Sequence, residues 1–173
     1  REVPAPFDVV VTTNSGYPLD LNLYQSVKGM SAAAQVVRQG GAIVCTAECS
    51  DGMPDNGEYK NILAAADGPR ELLDMIGAPG YGRHDQWQVQ LQAQIQLRAD
   101  VYLKSSYLTP EQVRAAHLTP VEDVGEATRE LLERHPDSRV CVLPQGPQTI
   151  PYVTRASTRT TRKNAGTNRE MRN

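Results

Sequence analysis

Apolar and polar positions along this chain fall into blocks with two different periods. Phe7-Asp8-Val9-Val10-Val11 and Ala42-Ile43-Val44-Cys45 are nearly continuous apolar runs. Such runs suit strands covered on both faces of a parallel sheet. Between them Leu23, Val27, Met30, Ala34 and Val37 are spaced 4, 3, 4 and 3, the stripe of an amphipathic helix. The pattern predicts a strand at 7–13, a helix at 20–38 and a strand at 42–47, which together form a β-α-β unit. Asp20 is read as N-cap or first-turn acid, Pro18 as loop or first turn, and Gly40-Gly41 as the helix stop. Ligands of open α/β sheets bind outside the carboxyl ends of the strands, so the turn and helix over 12–30 hold the candidate site.

Downstream the alternation continues. Residues 48–57 are rich in Asp, Gly and Pro and read as a loop. A short helix is expected at 59–66. Asp67-Gly68-Pro69 starts another, with Pro69 near its first position and Leu72, Leu73 and Ile76 on one side. Residues 77–83 form a second glycine-rich loop. In 86–97 glutamines alternate with Trp87, Val89, Leu91, Ala93, Ile95 and Leu97. Strict alternation marks a strand, whereas the abundance of Gln, Leu and Ala favours a helix. As a helix it would group Trp87, Leu91, Ala93 and Leu97 loosely on one side. A strand follows at 101–103. Thr109-Pro110-Glu111-Gln112 is a capping-box start. A longer helix is expected at 123–134, a last strand at 138–143, and an ordered loop around Pro144, Gly146, Pro147 and Pro151.

Candidate chemistry concentrates on the first helix. Tyr24 and Lys28 stand at i, i+4 and share a face, with Gln25 about 100° round the helix from Tyr24. The competing reading is a solvated lysine with Tyr24 packed along its stem. Asn14-Ser15-Gly16 can offer backbone N–H groups to an anion near the helix start. His84, His117 and His135 have no ligand spacing. His84 lies close to Trp87 and can line a site, or be a surface histidine. Cys45-x3-Cys49 lacks a second pair or a nearby histidine, so it does not read as a zinc site. Cys45 and Cys141 are read as buried, reduced thiols of a cytoplasmic protein. No Walker loop is present and no Gly-x-Gly-x-x-Gly follows a strand.

At these residues a resemblance enters. Thr12-Thr13-Asn14-Ser15-Gly16-Tyr17-Pro18-Leu19-Asp20, followed by Tyr24-Gln25-Ser26-Val27-Lys28-Gly29-Met30, resembles the C-terminal domain of the nickel-dependent lactate racemase family. So does Leu143-Pro144-Gln145-Gly146-Pro147-Gln148-Thr149-Ile150-Pro151-Tyr152. Trp87, in Arg83-His84-Asp85-Gln86-Trp87, stands where that family carries a tryptophan. The resemblance runs over 7–153. It implies an α/β fold: a Rossmann-like, open, mostly parallel sheet of about four strands with helices on both faces. It also favours a helix at 86–97.

The same resemblance implies reversible hydride removal from a 2-hydroxyacid such as lactate, with a nickel-pincer nucleotide as acceptor. In that family an N-terminal domain carries the lysine that holds the cofactor, the nickel-binding histidine and the histidine bases. This chain would supply a wall. Lys28 would pair with the substrate carboxylate and Gln25 would hydrogen-bond substrate. Tyr24 and Trp87 would line the cofactor pocket, and no metal ligand or catalytic base is expected here.

Composition adds limits. The chain has 173 residues, 39% hydrophobic, with one Trp, one Phe and a net charge of -2. Mean hydropathy is -0.48. That length fits one domain with a mainly aliphatic core. The charge balance points to no polyanionic partner, and no apolar run is long enough for a membrane span. The domain is expected to fill 1–153. Residues 154–173 carry six basic residues against Glu170 and are expected to be a disordered tail without aromatics to stack bases. The start at Arg1, without Met, is read as a piece of something longer. A non-catalytic α/β module that binds a small anion or a partner is the alternative function.

Overall fold

A computed structural model describes residues 1–134 and 137–154. The elements in chain order are β1 (Glu2–Val3), β2 (Phe7–Thr13), α1 (Leu23–Ala34), β3 (Val37–Thr46), α2 (Tyr59–Leu63), α3 (Pro69–Ile76) and α4 (Gln86–Arg98). They continue with β4 (Ala99–Lys104), α5 (Pro110–Ala115), β5 (Thr119–Pro120), α6 (Val124–Glu133), β6 (Val140–Leu143), a 3₁₀ turn (Gly146–Gln148) and β7 (Tyr152–Val153). Five strands form one parallel sheet in the order β5-β4-β3-β2-β6. β1 and β7 make a separate parallel pair.

The strands read as continuous apolar runs because both faces are covered. Side chains alternate across a strand. Val10, Ile43, Cys45, Val101 and Leu103 point into the larger core with α1 and α4. Val9, Ala42 and Val44 point the other way, onto Leu131 of α6. The fold is the expected Rossmann-like α/β sandwich. The sheet has five strands rather than about four. The extra one is the two-residue edge strand β5, too short for a periodic signal. Its Pro120 is tolerated because an edge strand can lack a donor.

The first helix is shorter than its stripe implied. Asn22, not Asp20, caps it, accepting from Gln25 N at 3.1 Å. Asp20 is buried and accepts from Glu48 N at 3.0 Å, tying the β2–α1 loop to the end of β3. The helix ends at Ala34, and Val37 already belongs to β3. Gly40 and Gly41 therefore lie inside a strand instead of stopping a helix. Between Phe7↔Val37 and Val9↔Ala42 the register slips, so β3 carries a bulge there. Gly40 takes φ +69°, and a Cβ on Gly41 would stand 2.7 Å from Asp8 O. The glycines serve this close approach of two strands.

Residues 86–98 are a helix, as the resemblance required, but with a different buried face. Gln88, Val89, Gln92, Ala93 and Ile95 are buried, while Trp87 is exposed and Leu91 and Leu97 only half-buried. The alternation is accidental to the fold: Gln88, Gln92 and Gln96, at i, i+4 and i+8, form an inward amide stripe. Gln88 Nε2 donates to Tyr24 O at 2.5 Å, Gln92 Nε2 to Ala116 O at 2.7 Å and Gln96 Nε2 to His117 O at 2.7 Å. Amides can be buried where they find partners.

Thr109 and Gln112 form the full capping box, and Asp123 caps α6 through Glu126 N at 2.7 Å. The short helix expected at 59–66 spans only Tyr59–Leu63, and the last strand starts at Val140. Cys45 is fully buried as expected. Cys141 is only half-buried, and Cys49 is the second fully buried thiol. No helix among the described residues is long and apolar enough to cross a membrane. Residues 155–173 of the expected tail, and His135, lie outside the described residues.

Candidate functional site

In a sheet ordered β5-β4-β3-β2-β6 the chain reverses direction between β2 and β6. Ligands of such sheets favour the crevice at that reversal. Here it is filled. A Cβ on Gly146 would stand 2.6 Å from Thr12 Oγ1, 2.7 Å from Thr13 O and 3.0 Å from Gly29 Cα. Thr13 Oγ1 donates to Pro144 O at 2.8 Å across the same junction. The segment after β6 thus plugs the crevice, and the candidate residues sit to one side of it, on the amino-terminal turns of α1 and α4.

Four residues singled out from sequence converge at that corner. Lys28 Nζ donates to Gln25 Oε1 at 2.5 Å, and the lysine is exposed while the glutamine is half-buried. Tyr24 packs edge to face on Trp87, with ring centroids 5.8 Å apart and planes at 86°. Trp87 keeps 55% of its surface exposed. An indole fixed by a T-shaped contact and still half exposed offers aromatic surface to a planar ligand.

Tyr24 is held from below as well. Tyr59, fully buried, meets it at 5.4 Å and 78°. Burial pushes the Tyr24 phenol up, and the neighbouring Asp85 carboxylate adds to the shift. Tyr24 therefore stays a neutral hydrogen-bond donor across the physiological range. Asp85 is itself buried at φ +66° and accepts from Glu58 N at 3.1 Å. His84 is a surface side chain, with Nδ1 3.1 Å from Asp85 Oδ1. It lines, with Asn22, Tyr24, Asp51 and Asn56, a small pocket of about 230 Å³.

Residues 14–16 act differently from the anion-binding turn expected. Ser15 and Gly16 both take positive φ, +67° and +73°. Ser15 N, however, donates to Thr13 Oγ1 at 2.9 Å instead of facing open solvent. The adjoining groove of about 290 Å³ is lined by Thr13, Asp20, Glu48 and Lys104, and Lys104 is already paired with Glu122 at 3.2 Å. Two acids and one occupied base give an anion little attraction.

Three further residues were not legible as site residues. Asn14, Gln88 and Tyr59 are buried polar groups that brace Tyr24 and Gln25 from inside. Asn14 belongs to a segment that had been noticed, but for its turn chemistry. Gln88 and Tyr59 carried no signal, because their partners are backbone carbonyls and side chains far away in sequence.

Nucleophile and metal chemistry find little support. Burial pushes the thiols of Cys45 and Cys49 up, which keeps them protonated and unreactive. Among the described residues no three His, Cys, Asp or Glu side chains converge as a metal set.

Against known proteins, the family model described as the lactate racemase C-terminal domain matches residues 3–150. The lactate racemase of Thermoanaerobacterium thermosaccharolyticum is 37% identical over 149 residues, covering 84% of this chain and 34% of that protein. That of Lactiplantibacillus plantarum is 37% identical over 142 residues, covering 80% of this chain and 33% of its own. The solved structure of the lactate racemase apoprotein from T. thermosaccharolyticum superposes with a TM-score of 0.77 at 32% identity. It covers 88% of this chain and 36% of that one. The chain spans about one third of the length of the curated relatives it matches.

Proposed function

The chain belongs to the lactate racemase C-terminal domain family, and from that premise we propose that it is the C-terminal part of a nickel-dependent 2-hydroxyacid racemase. Its role is the substrate- and cofactor-facing wall. The observation that carries this reading is the Lys28–Gln25 pair beside the half-exposed Trp87. Lys28 pairs with the substrate carboxylate. Its bond to Gln25 Oε1 turns the Gln25 amide so that Nε2 offers its donors to the same substrate. A charge-assisted hydrogen bond of this kind contributes about 1.5–3 kcal/mol once the closed site shields it from solvent.

The residues present fit the flank of a nickel-pincer nucleotide. The half-exposed Trp87, edge-on to Tyr24, suits the side of a pyridinium nucleotide. The donor set among the described residues does not suit nickel itself. In this reading the wall belongs to this chain, while the metal ligand, the lysine that carries the nucleotide and the histidine bases belong to an N-terminal domain. When bound, the nucleotide supplies the hydride-accepting centre. Tyr24 and Trp87 line its pocket and exclude water, which would divert a transferable hydride, while Lys28 and Gln25 hold the substrate. Three free cysteines fit a reducing compartment, so we place the parent enzyme in the cytoplasm.

The alternative, a small-anion or partner-binding module without turnover, needs the 14–16 turn together with the Lys28 helix as its site. The acidic groove beside that turn speaks against it. The deciding experiment is a chiral assay of the full-length parent, loaded with its nickel cofactor, on enantiopure lactate and other short 2-hydroxyacids. Approach to a racemic mixture is the expected result. Binding without inversion of any of them would hand the chain to the alternative.

A further inference from the structure

We propose that Asn14 is the positioning residue of the Gln25–Lys28 pair. The inference rests on the reading of that pair as substrate-facing. Asn14 has no exposed surface. Its Oδ1 accepts from Gly29 N at 2.9 Å, and its Nδ2 donates to Gln25 O at 3.1 Å. In an α-helix Gln25 O and Gly29 N are the two ends of a single i→i−4 rung. One side chain from outside the helix thus grips both ends of one rung, and Lys28 lies within the turn that the rung closes. Nδ2 also donates to Leu19 O, which fastens the loop entering the helix.

The grip has a fixed base. Asn14 directly follows β2, and its own N–H donates to Thr46 O at the end of β3 at 3.3 Å. The contact is close because Gly29 has no side chain. A Cβ there would stand 2.7 Å from Thr13 O and 3.1 Å from Asn14 Oδ1. Rotation or sliding of α1 would carry Gln25 and Lys28 with it and would break both Asn14 bonds together. A second buried amide, Gln88, holds the preceding carbonyl of Tyr24 from α4. The Tyr24–Lys28 turn is therefore referenced to the sheet through Asn14 and to Trp87's helix through Gln88. Asn14 has both its side-chain oxygen and nitrogen bonded, a buried amide so held keeps a single geometry, and a displacement near 1 Å at a reacting group can cost about 100-fold in rate.

The test is a double-mutant cycle in the full-length, cofactor-loaded parent: Asn14→Ala, Lys28→Ala and both together. Acting through the pair, Asn14→Ala lowers kcat/KM by about 10-fold alone and by clearly less once Lys28 is already alanine, where only the Gln25 contact is left to misplace. Asn14→Ser, which keeps a hydroxyl acceptor for Gly29 N–H, loses less than Asn14→Ala and shows the same coupling; it serves if the alanine variant does not fold. A purely structural Asn14 predicts losses that multiply with Lys28→Ala and track the folded fraction in a thermal melt, and that outcome overturns the inference while leaving the wall reading intact. If Lys28→Ala alone is without effect, the wall reading itself fails, and this inference fails with it.

Discussion

Lys28 Nζ and Gln25 Oε1 lie 2.5 Å apart, one turn of α1 between them. The bond uses the acceptor of the amide and leaves its Nε2 donors for another partner, next to an ammonium. Two adjacent donors suit a carboxylate. Lys28→Ala in the full-length parent is expected to lower kcat/KM by about 10- to 100-fold, the loss of one charge-assisted contact made in the transition state. Lys28→Arg should not restore it, since a planar fork differs from a point charge in shape and reach. Steady-state kinetics on a 2-hydroxyacid settle the matter, and wild-type values for Lys28→Ala would refute the substrate role.

Trp87 is the one tryptophan of the chain, so its fluorescence reads the site directly. Its exposed indole should blue-shift when the wall is covered by cofactor and substrate. Trp87→Ala removes an edge-to-face pair worth about 0.5–1.5 kcal/mol, a fall in Tm of a few degrees at this chain length. Activity of the loaded parent should fall far more than that small destabilisation explains. Equal and small effects on both would mean that Trp87 only packs on Tyr24.

Gly146 is needed where the 3₁₀ turn meets α1. Gly146→Ala would drive a methyl against Thr12, Thr13 and Gly29 at 3.0 Å or less. Two of the three atoms are backbone, which yields little. Overpacking of this kind costs about 1–3 kcal/mol. Tm is expected to drop several degrees by calorimetry, and an unchanged Tm would show that the turn can move away from the sheet.

Gln92→Leu looks conservative for a helix that alternates Gln with apolar residues, yet it should destabilise. Gln92 accepts from the Tyr59 hydroxyl and donates to Ala116 O at 2.7 Å, all three groups buried. Leucine would leave the hydroxyl unpaired, at about 1–3 kcal/mol, and the carbonyl with only the longer bond from Gln96 Nε2 at 3.2 Å. Denaturant midpoints give the answer. A neutral or stabilising leucine would mean that the amide stripe does not hold α4 in place.

Asp8 ties β2 to both neighbouring strands. Its carboxylate accepts from Arg139 N at 2.9 Å and from Arg38 Nε at 2.6 Å. The Arg139 N–H first, and then the Arg38 guanidinium, hold its pKa below the ordinary carboxylate value. With the folded value depressed, the unfolded chain binds more protons at low pH. The stabilisation is complete above about pH 3.9, the unfolded value, and disappears as pH falls through the folded one. The Tm difference between wild type and Asp8→Asn should therefore be constant near neutrality and shrink in strong acid. A gap that does not narrow there would show that the pair is not linked to folding.

What the pattern of residues could reveal follows its range. The apolar runs at β2 and β3 and the stripe through Leu23, Val27 and Met30 are local, and they were enough for an α/β unit. The resemblance to lactate racemase segments then selected Tyr24, Gln25, Lys28 and Trp87. Packing placed these four together: α4 crosses α1 so that Trp87 reaches Tyr24, 63 positions away in the chain. Where local reading failed, a long-range contact was responsible. Gly40-Gly41 looked like a helix stop because glycine ends helices, but they accommodate Asp8 O from a strand on the other side of the bulge. Gln88 and Gln92 looked like the solvent side of a strand or helix, because an amide reveals nothing of a carbonyl partner 64 or 24 residues distant.

By itself, then, the sequence determined the secondary elements with strong periodicity and the capping box at Thr109, and the resemblance named the residues proposed to face substrate and cofactor. These depend on one turn of chain or on a short ordered motif. The tertiary structure alone decided that the crevice between β2 and β6 is plugged by Gly146, that the face of α4 turned inward is amide-rich, and that Asn14 grips the Gln25–Gly29 rung. Each of these is a close approach of backbone to backbone or amide to carbonyl between segments remote in sequence. Such contacts are specified by the packed whole, in which every buried polar group must find a partner.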